Sequence, residues 1–550
     1  MSSARPRSRR KGSGQKQARR ARAATGASSR GALSAPLALT AALVLLSFAP
    51  RVADSAALAR SFWGAALALL VWQVVLLAHL KRSQRGRSFQ RVLRPQHYLQ
   101  ATVQLAVFAY WGYFWRPVYD FAPLLLGQLL FAYAFDMLLA WSRRDSYVLG
   151  FGPFPIIFSI NLFLWFRDDW FYLQFLMIAV GFLGKELVRW RREGRLTHVF
   201  NPSAFALGAF SLVLIATGST ELTWAQEIAT TLTRAPRIYL FLFLLGLVVM
   251  AFFSITLVAG SAALVLFTSS ALYSATTGVP FFVDSEIPAA VFLGLHLLVT
   301  DPSTSPRTPL GKALFGGLYG LGVLGLYALL GAIGAPTIYD KLLCVPLLNL
   351  SVKWIDAVSR WLERLPALGR WGAWAPARAN AAHMGLWILF FGAMTALGST
   401  DGTHRGETLP FWQRACAEGR HNACRRLVQI ESAYCGDNSA WACNELGAHL
   451  EAGAVVARDP DGAWRAFAQA CELRYLPACL NLLDLGAQAG DRRESEPPSA
   501  DGFSRTDPRI LDLRLLLREG GPNLLEMPER DLLARACRHG WSFACEGGAR

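Results

Sequence analysis

Long apolar runs, separated by short charged turns, fill the first 400 residues of the chain. They lie near 32–50, 61–80, 99–116, 121–141, 148–166, 170–186, 201–218, 237–255, 257–276, 286–300, 311–333, 338–357 and 383–399. Each reads as a helix of roughly the length that crosses a bilayer, which predicts about thirteen spans. The turns sort by charge. Lys81 to Arg94, Arg143-Arg144, Lys185 to Arg195, Arg307 to Lys312 and Arg360 to Arg378 are basic, and they alternate with weakly charged or acidic turns such as Arg167-Asp168-Asp169. Under the positive-inside rule the basic turns are cytoplasmic, so an N-terminus inside and an odd number of spans put the C-terminus outside. After Asp401 the long apolar runs stop. The expected fold is all-α: residues 1–31 a basic tail, 32–400 a polytopic membrane domain, and 401–550 a small extracytoplasmic helical domain.

Composition agrees with the membrane class. Hydrophobic residues are 53% of the chain and charged residues 17%, more apolar surface than a soluble protein of this length hides. The net charge of +17 raises nucleic acid as a partner, but its location argues against it. Ten Lys or Arg and no acid lie in Met1 to Arg30, a Ser-, Gly- and Ala-rich stretch without an aromatic residue to stack on a base. Directly before an apolar run, such a tail is a cytoplasmic anchor for anionic lipid. The lipid bilayer, and not nucleic acid, is the expected partner.

Cysteine use bears on the compartment. Cys344 is the one Cys in the membrane part, where a small apolar filler is the plain reading. The other eight form four pairs of identical spacing: Cys416 with Cys424, Cys435 with Cys443, Cys471 with Cys479, and Cys537 with Cys545. On one straight helix such partners stand about 12 Å apart, too far for a disulfide. The chain between them must turn, and Gly419, Asn438, Pro477 and Gly540 offer turns. Helix–turn–helix units stapled by four disulfides fit best, in an oxidising compartment. Reduced thiols in a cytoplasmic domain are the alternative, and a zinc site lacks the usual short gaps or His partners. The two middle pairs recur after 36 residues, a period typical of helical solenoids. The text around Ala442-Cys443-Asn444-Glu445-Leu446-Gly447 resembles cysteine-rich Sel-like repeats, relatives of tetratricopeptide repeats. That resemblance implies a protein partner for this domain. The polar, Pro-rich stretch from Asp491 to Pro508 reads as a loop within it.

Three short motifs stand out in the membrane part. Val199-Phe200-Asn201-Pro202-Ser203-Ala204-Phe205 places an N-cap Asn and an N1 Pro at the start of an apolar run. Leu298-Val299-Thr300-Asp301-Pro302-Ser303 ends another run and leads to a helix with Gly316, Gly317 and Gly320. Asn349-Leu350-Ser351-Val352-Lys353-Trp354-Ile355-Asp356 follows. In this order they resemble the membrane-subunit family that includes the D subunit of Rnf electron-transport complexes, the B subunit of sodium-pumping NADH:quinone reductases and UnbU-type proteins. The resemblance spans roughly Tyr98 to Asp356, and Lys353 stands where the family has Pro. It implies a component of a bacterial inner-membrane complex, with Asn201, Thr300, Asp301, Asn349 and Asp356 as candidate cofactor-binding positions and non-covalent FMN or a quinone as candidate cofactor. Covalent FMN is not expected, because the family's Ser-Gly-Ala-Thr motif is missing: the matching place reads Ala216-Thr217-Gly218-Ser219-Thr220-Glu221.

Ionisable groups within apolar runs point to sites. Asp136, Lys185-Glu186 and His296 each have a plain structural reading, as interfacial or packing residues. Asp301 is the strongest candidate. Pro302 stops the helix there, so the carboxylate should face an internal recess near Asn201, with the glycines of the next helix allowing close approach. There is no haem motif, iron–sulfur set, metal set or nucleotide loop, and no catalytic set is readable. Two functions remain open: an electron-transport or ion-translocating component, and a non-redox transporter or scaffold whose outer domain recruits a protein.

Overall fold

The computed structural model describes residues 34–83, 87–192, 194–283, 285–365, 376–400, 404–436, 438–453 and 455–489. Met1 to Arg30 and the stretch Asp491 to Pro508 lie outside the described residues. Among those described, helices of seven residues or more are α1 (Ser34–Leu46), α2 (Ala56–Ser83), α3 (Pro95–Phe114), α4 (Ala122–Arg143), α5 (Pro153–Asn161), α6 (Tyr172–Leu187), α7 (Pro202–Ala216), α8 (Ala225–Thr231), α9 (Ile238–Phe253), α10 (Thr256–Thr277), α11 (Ala289–Leu297), α12 (Pro309–Ala332), α13 (Asp340–Leu362), α14 (Pro376–Ala396), α15 (Leu409–Ala417), α16 (Ala423–Gly436), α17 (Ala440–Ala452), α18 (Pro460–Glu472) and α19 (Leu476–Ala489). The fold is helical, with two short strand pairs. β1 (Ser88–Arg91) runs parallel to β2 (Ser146–Leu149), and β3 (Arg189–Arg192) forms a hairpin with β4 (Arg195–His198).

The expected thirteen spans are not found among the described residues. Five helices among the described residues are long and apolar enough to cross a membrane: Ala56–Arg82, Pro117–Arg143, Thr256–Thr277, Pro309–Ala332 and Thr337–Leu362. A sixth is counted only if Ala225–Arg234 and Ile238–Phe253, bent by 100°, form one span. Two apolar runs, near 148–166 and 286–300, fold into the nine-residue helices α5 and α11. At 1.5 Å per residue each is about 14 Å long, half a bilayer core. The runs near 32–50 and 201–218 become helices of 13 and 15 residues. Apolarity here marks burial in protein as much as exposure to lipid: every residue of α11 is buried. The parity argument that put the C-terminus outside rested on thirteen spans; five would keep the two termini on opposite sides and six would put them on the same side.

The chain divides into two compact units, Met1–Phe267 with Ile287–Asp401, and Thr268–Glu286 with Gly402–Arg550. In the first, Gly316 and Gly320 of α12 lie against the backbone of α10. A Cβ at Gly316 would stand 2.1 Å from the Val258 carbonyl oxygen, and one at Gly320 3.0 Å from that of Ala262. The glycines therefore serve a close approach of α12 to α10, not to α11 as their position in the sequence suggests.

In the second unit α15 to α19 pack each on the next, around Trp412, Trp441, Phe467, Tyr475 and Leu482. Four disulfides were expected, and three are present among the described residues. Cys416–Cys424, Cys435–Cys443 and Cys471–Cys479 join successive helices, with Cα atoms 4.4, 4.5 and 4.8 Å apart. The fourth expected bond, between Cys537 and Cys545, is not one of these. Both Cys537 and Cys545 lie outside the described residues, and the three described pairs are stapled as expected. Gly419 and Asn438 take the left-handed conformation at two of the turns, with φ of 67° and 65°. At the third it is Arg474, φ 63°, while Pro477 sits in the first turn of α19, where a residue without an N–H is tolerated. Thr268–Glu286 clusters with this unit although hydropathy groups it with the membrane runs. Val279 enters its core, and Arg420 Nη1 donates to the Gly278 carbonyl over 3.1 Å.

Candidate functional site

The three motifs meet in the first unit. Asn201 is the N-cap of α7 and accepts from the Ser203 backbone N–H over 3.1 Å and from the Ser203 hydroxyl over 2.8 Å. Its Nδ2 donates to the Leu298 carbonyl over 3.0 Å, just beyond the end of α11. Its backbone N–H donates to Asn349 Oδ1 over 3.0 Å, in the middle of α13. Asn349 Nδ2 in turn reaches the Thr304 carbonyl at 3.5 Å. One N-cap residue thus ties a helix start, a broken helix and a long helix together. Asn201 and Asn349 are both buried, so their amides have no water to replace these partners.

A second knot lies further along α13. Asp356 Oδ2 accepts from Arg192 Nε at 3.1 Å and Nη2 at 2.6 Å, and Oδ1 accepts from the Arg307 backbone N–H at 3.0 Å. The Arg192 Nη2 also donates to the Ser305 carbonyl over 2.9 Å. The two side chains are 5% and 4% exposed, so this is a buried ion pair in which both carboxylate oxygens are bonded. The β3–β4 hairpin delivers it. The basic run Lys185 to Arg195, expected as a cytoplasmic loop, therefore includes a hairpin strand. Four residues, a turn through Gly194 at φ 76°, and four residues back form a hairpin that the turn glycine could have signalled. Charge masked that signal. Lys353 rests its ammonium 4.8 Å from the centre of the Trp190 ring on the same hairpin.

Thr300 and Asp301 take other roles. The Thr300 hydroxyl donates to the His296 carbonyl over 2.6 Å, closing the end of α11. The helix stops at Leu297, five residues before Pro302. Asp301 does not reach Asn201: it caps its own loop. It accepts from the Ser303 N–H at 3.0 Å, the Ser303 hydroxyl at 2.6 Å and the Thr304 hydroxyl at 3.1 Å, with His198 Nε2 3.9 Å away. Burial alone would raise this carboxyl, but the His198 and Ser303 interactions outweigh it and hold it below its ordinary value. The Leu298 carbonyl, three residues earlier, is the group that meets Asn201.

Along α13, Lys341, Asn349, Asp356 and Ser359 are all buried. Their spacings of eight, seven and three put them on one helical face. At the start of this stripe Lys341 Nζ donates to Asp340 Oδ1 over 2.9 Å and to the Ile338 carbonyl over 2.7 Å. Nearby, a Cβ on Gly294 of α11 would meet the Tyr319 hydroxyl at 3.1 Å, and Lys341 Cδ and Phe163 Cζ at 3.8 Å. The Tyr319 hydroxyl is buried without a hydrogen-bond partner. Sequence reading missed Lys341, Tyr319 and Arg192, because two stand at the edge of charged turns and one is a Tyr in an apolar run. The other ionisable candidates have local partners: Tyr147 donates to Asp136 over 3.1 Å, Glu186 pairs with Arg144 at 2.9 Å, and His296 Nδ1 bonds the Phe292 carbonyl at 2.7 Å.

Among the described residues no group of three or more His, Cys, Asp or Glu could hold a metal ion. The fold and site define an all-α protein with membrane-length helices, a buried polar stripe and a disulfide-bonded second unit. No known family, curated protein or solved structure matches the chain.

Proposed function

We propose that the protein is an integral membrane component that passes a small ion or polar solute through its first unit, along the buried polar face of α13. The carrying observation is the stripe Lys341–Asn349–Asp356, met midway by the capped start of α7 and the end of the nine-residue helix α11. Buried half-helices whose freed backbone groups line protein are where membrane proteins handle ions. Polar groups in an apolar interior are costly, so a stripe of them along a membrane-length helix needs a use. The motif resemblance supports membership of an electron-transport complex, in which non-covalent flavin or quinone would supply redox chemistry. The stapled helix pairs of the second unit, if they extend as Sel-like repeats do, suit recruitment of a partner protein. On this reading the protein lies in a bacterial inner membrane.

The test is reconstitution of the purified chain in vesicles. Dye-reported flux of protons, sodium or chloride under an imposed potential supports translocation. An absorption spectrum with flavin bands, or quinone in a solvent extract, supports the electron-transport form. Sealed vesicles with no flux above protein-free controls overturn the proposal.

A further inference from the structure

A groove of about 340 Å³ opens on the first unit between α2, α4 and α6. Its floor is aromatic, Phe131, Phe135 and Phe175, and its α2 wall is small, Gly64, Ala65 and Ala68. The volume falls within the range of ligand sites. A Cβ at Gly64 would meet nothing within 4 Å, so the groove is open along this wall. One cation lines it. Arg60 is exposed, and its Nε donates to the Ala56 carbonyl over 3.1 Å, so its terminal nitrogens are available to a ligand.

The depth of these residues sets the occupant. Arg60 lies four residues into the membrane-length segment Ala56–Arg82, about 6 Å from its end. Trp63, three residues further along α2, and Tyr172, which lines the groove beside Arg60, are exposed rings, the pairing of aromatic and cation found at a membrane interface. The far end of the groove is Trp72, against Phe135 at 5.2 Å between ring centres, about 18 Å further along α2. The groove thus runs from interface depth into the apolar layer, cationic at the shallow end and apolar over the rest. We infer that it is a binding site for one anionic phospholipid, with an acyl chain along Gly64, Ala68 and Phe175 and the headgroup phosphate on Arg60. This rests on the membrane reading above but not on ion passage.

The test uses the full chain reconstituted in nanodiscs of equal phosphatidylglycerol and phosphatidylcholine, released into the gas phase for lipid counting by native mass spectrometry. The expected result is one retained lipid per chain, phosphatidylglycerol favoured about fivefold, the worth of one basic residue at a charged surface. Arg60→Gln should erase the preference while keeping a lipid bound. Gly64→Leu and Ala68→Phe, each at an exposed position, should lose the retained lipid without lowering the melting temperature. Equal retention of both lipids by the wild type, or unchanged retention in both groove-filling variants, would overturn the site. A wild-type chain recovered in the soluble fraction would instead overturn the membrane reading beneath it.

Discussion

Removing either partner of the Arg192–Asp356 pair should be among the most damaging single changes in the first unit. Both side chains are about 5% exposed, so Asp356→Leu strands a guanidinium in a protein interior with only the Ser305 carbonyl left to it. Stranding a buried charge in this way costs about 3–5 kcal/mol. The Arg307 N–H loses its acceptor as well, adding about 1–3 kcal/mol. Arg192→Met strands the carboxylate at similar cost. The double variant removes both charges and leaves two backbone groups unpaired, so its loss should be well under half the sum of the singles. The assay is unfolding in mixed micelles of rising SDS fraction, read by tryptophan fluorescence. Additive losses, or an Asp356→Leu variant as stable as wild type, would refute the claim that the hairpin is fastened to α13 through this pair.

Three further outcomes follow from the packing and the charges. Gly316→Ala should cost about 1–3 kcal/mol in the same assay, because its Cβ would collide with a backbone carbonyl on α10 that has no room to give. Replacing Cys471 and Cys479 together by Ala should destabilise the second unit by about 2–3 kcal/mol on the chain-entropy estimate, read as faster hydrogen exchange in α18 and α19 of the full chain. The third concerns pH. Burial lifts the Glu431 and Glu445 carboxyls above their ordinary value, and the bond to Glu431 lifts His449. All three bind protons more tightly in the folded state, so the stability they contribute is present in acid and is lost as pH rises above the ordinary carboxyl and imidazole values through the raised folded ones. Exchange in α16 and α17, corrected for intrinsic rate, should quicken over that range in wild type and less so in Glu431→Gln. Equal protection at both ends would refute it.

How much could be read from the chain varied with the kind of signal. The equal cysteine spacing was a local geometric constraint, and the three described pairs close across their turns. The same spacing in Cys537 and Cys545 falls outside the described residues. The Asn201-Pro202 helix start was equally local, and Asn201 caps α7. The span count failed because hydropathy cannot tell lipid from protein: α11 is as apolar as a span, yet its nine residues are all buried within the unit. Asp301 was placed by a sound inference about Pro302, but its nearest donors are its own Ser303 and Thr304, and a short Asx-type turn won over a distant Asn. Arg192 and Lys341 were hidden because a charge beside a turn reads as solvated, whereas the hairpin and the first turn of α13 fold both inward.

The proposed passage along α13 is tested most directly at Asn349. Asn349→Asp keeps an acceptor for the Asn201 N–H but places a carboxyl at the midpoint of the stripe. In proteoliposomes with matched protein content, the ratio of cation to anion flux should rise in Asn349→Asp relative to wild type. It should stay unchanged in Leu350→Asp, whose side chain points away from the stripe and is 57% exposed. An unaltered ratio in a folded Asn349→Asp protein would show that the stripe holds helices together and carries nothing.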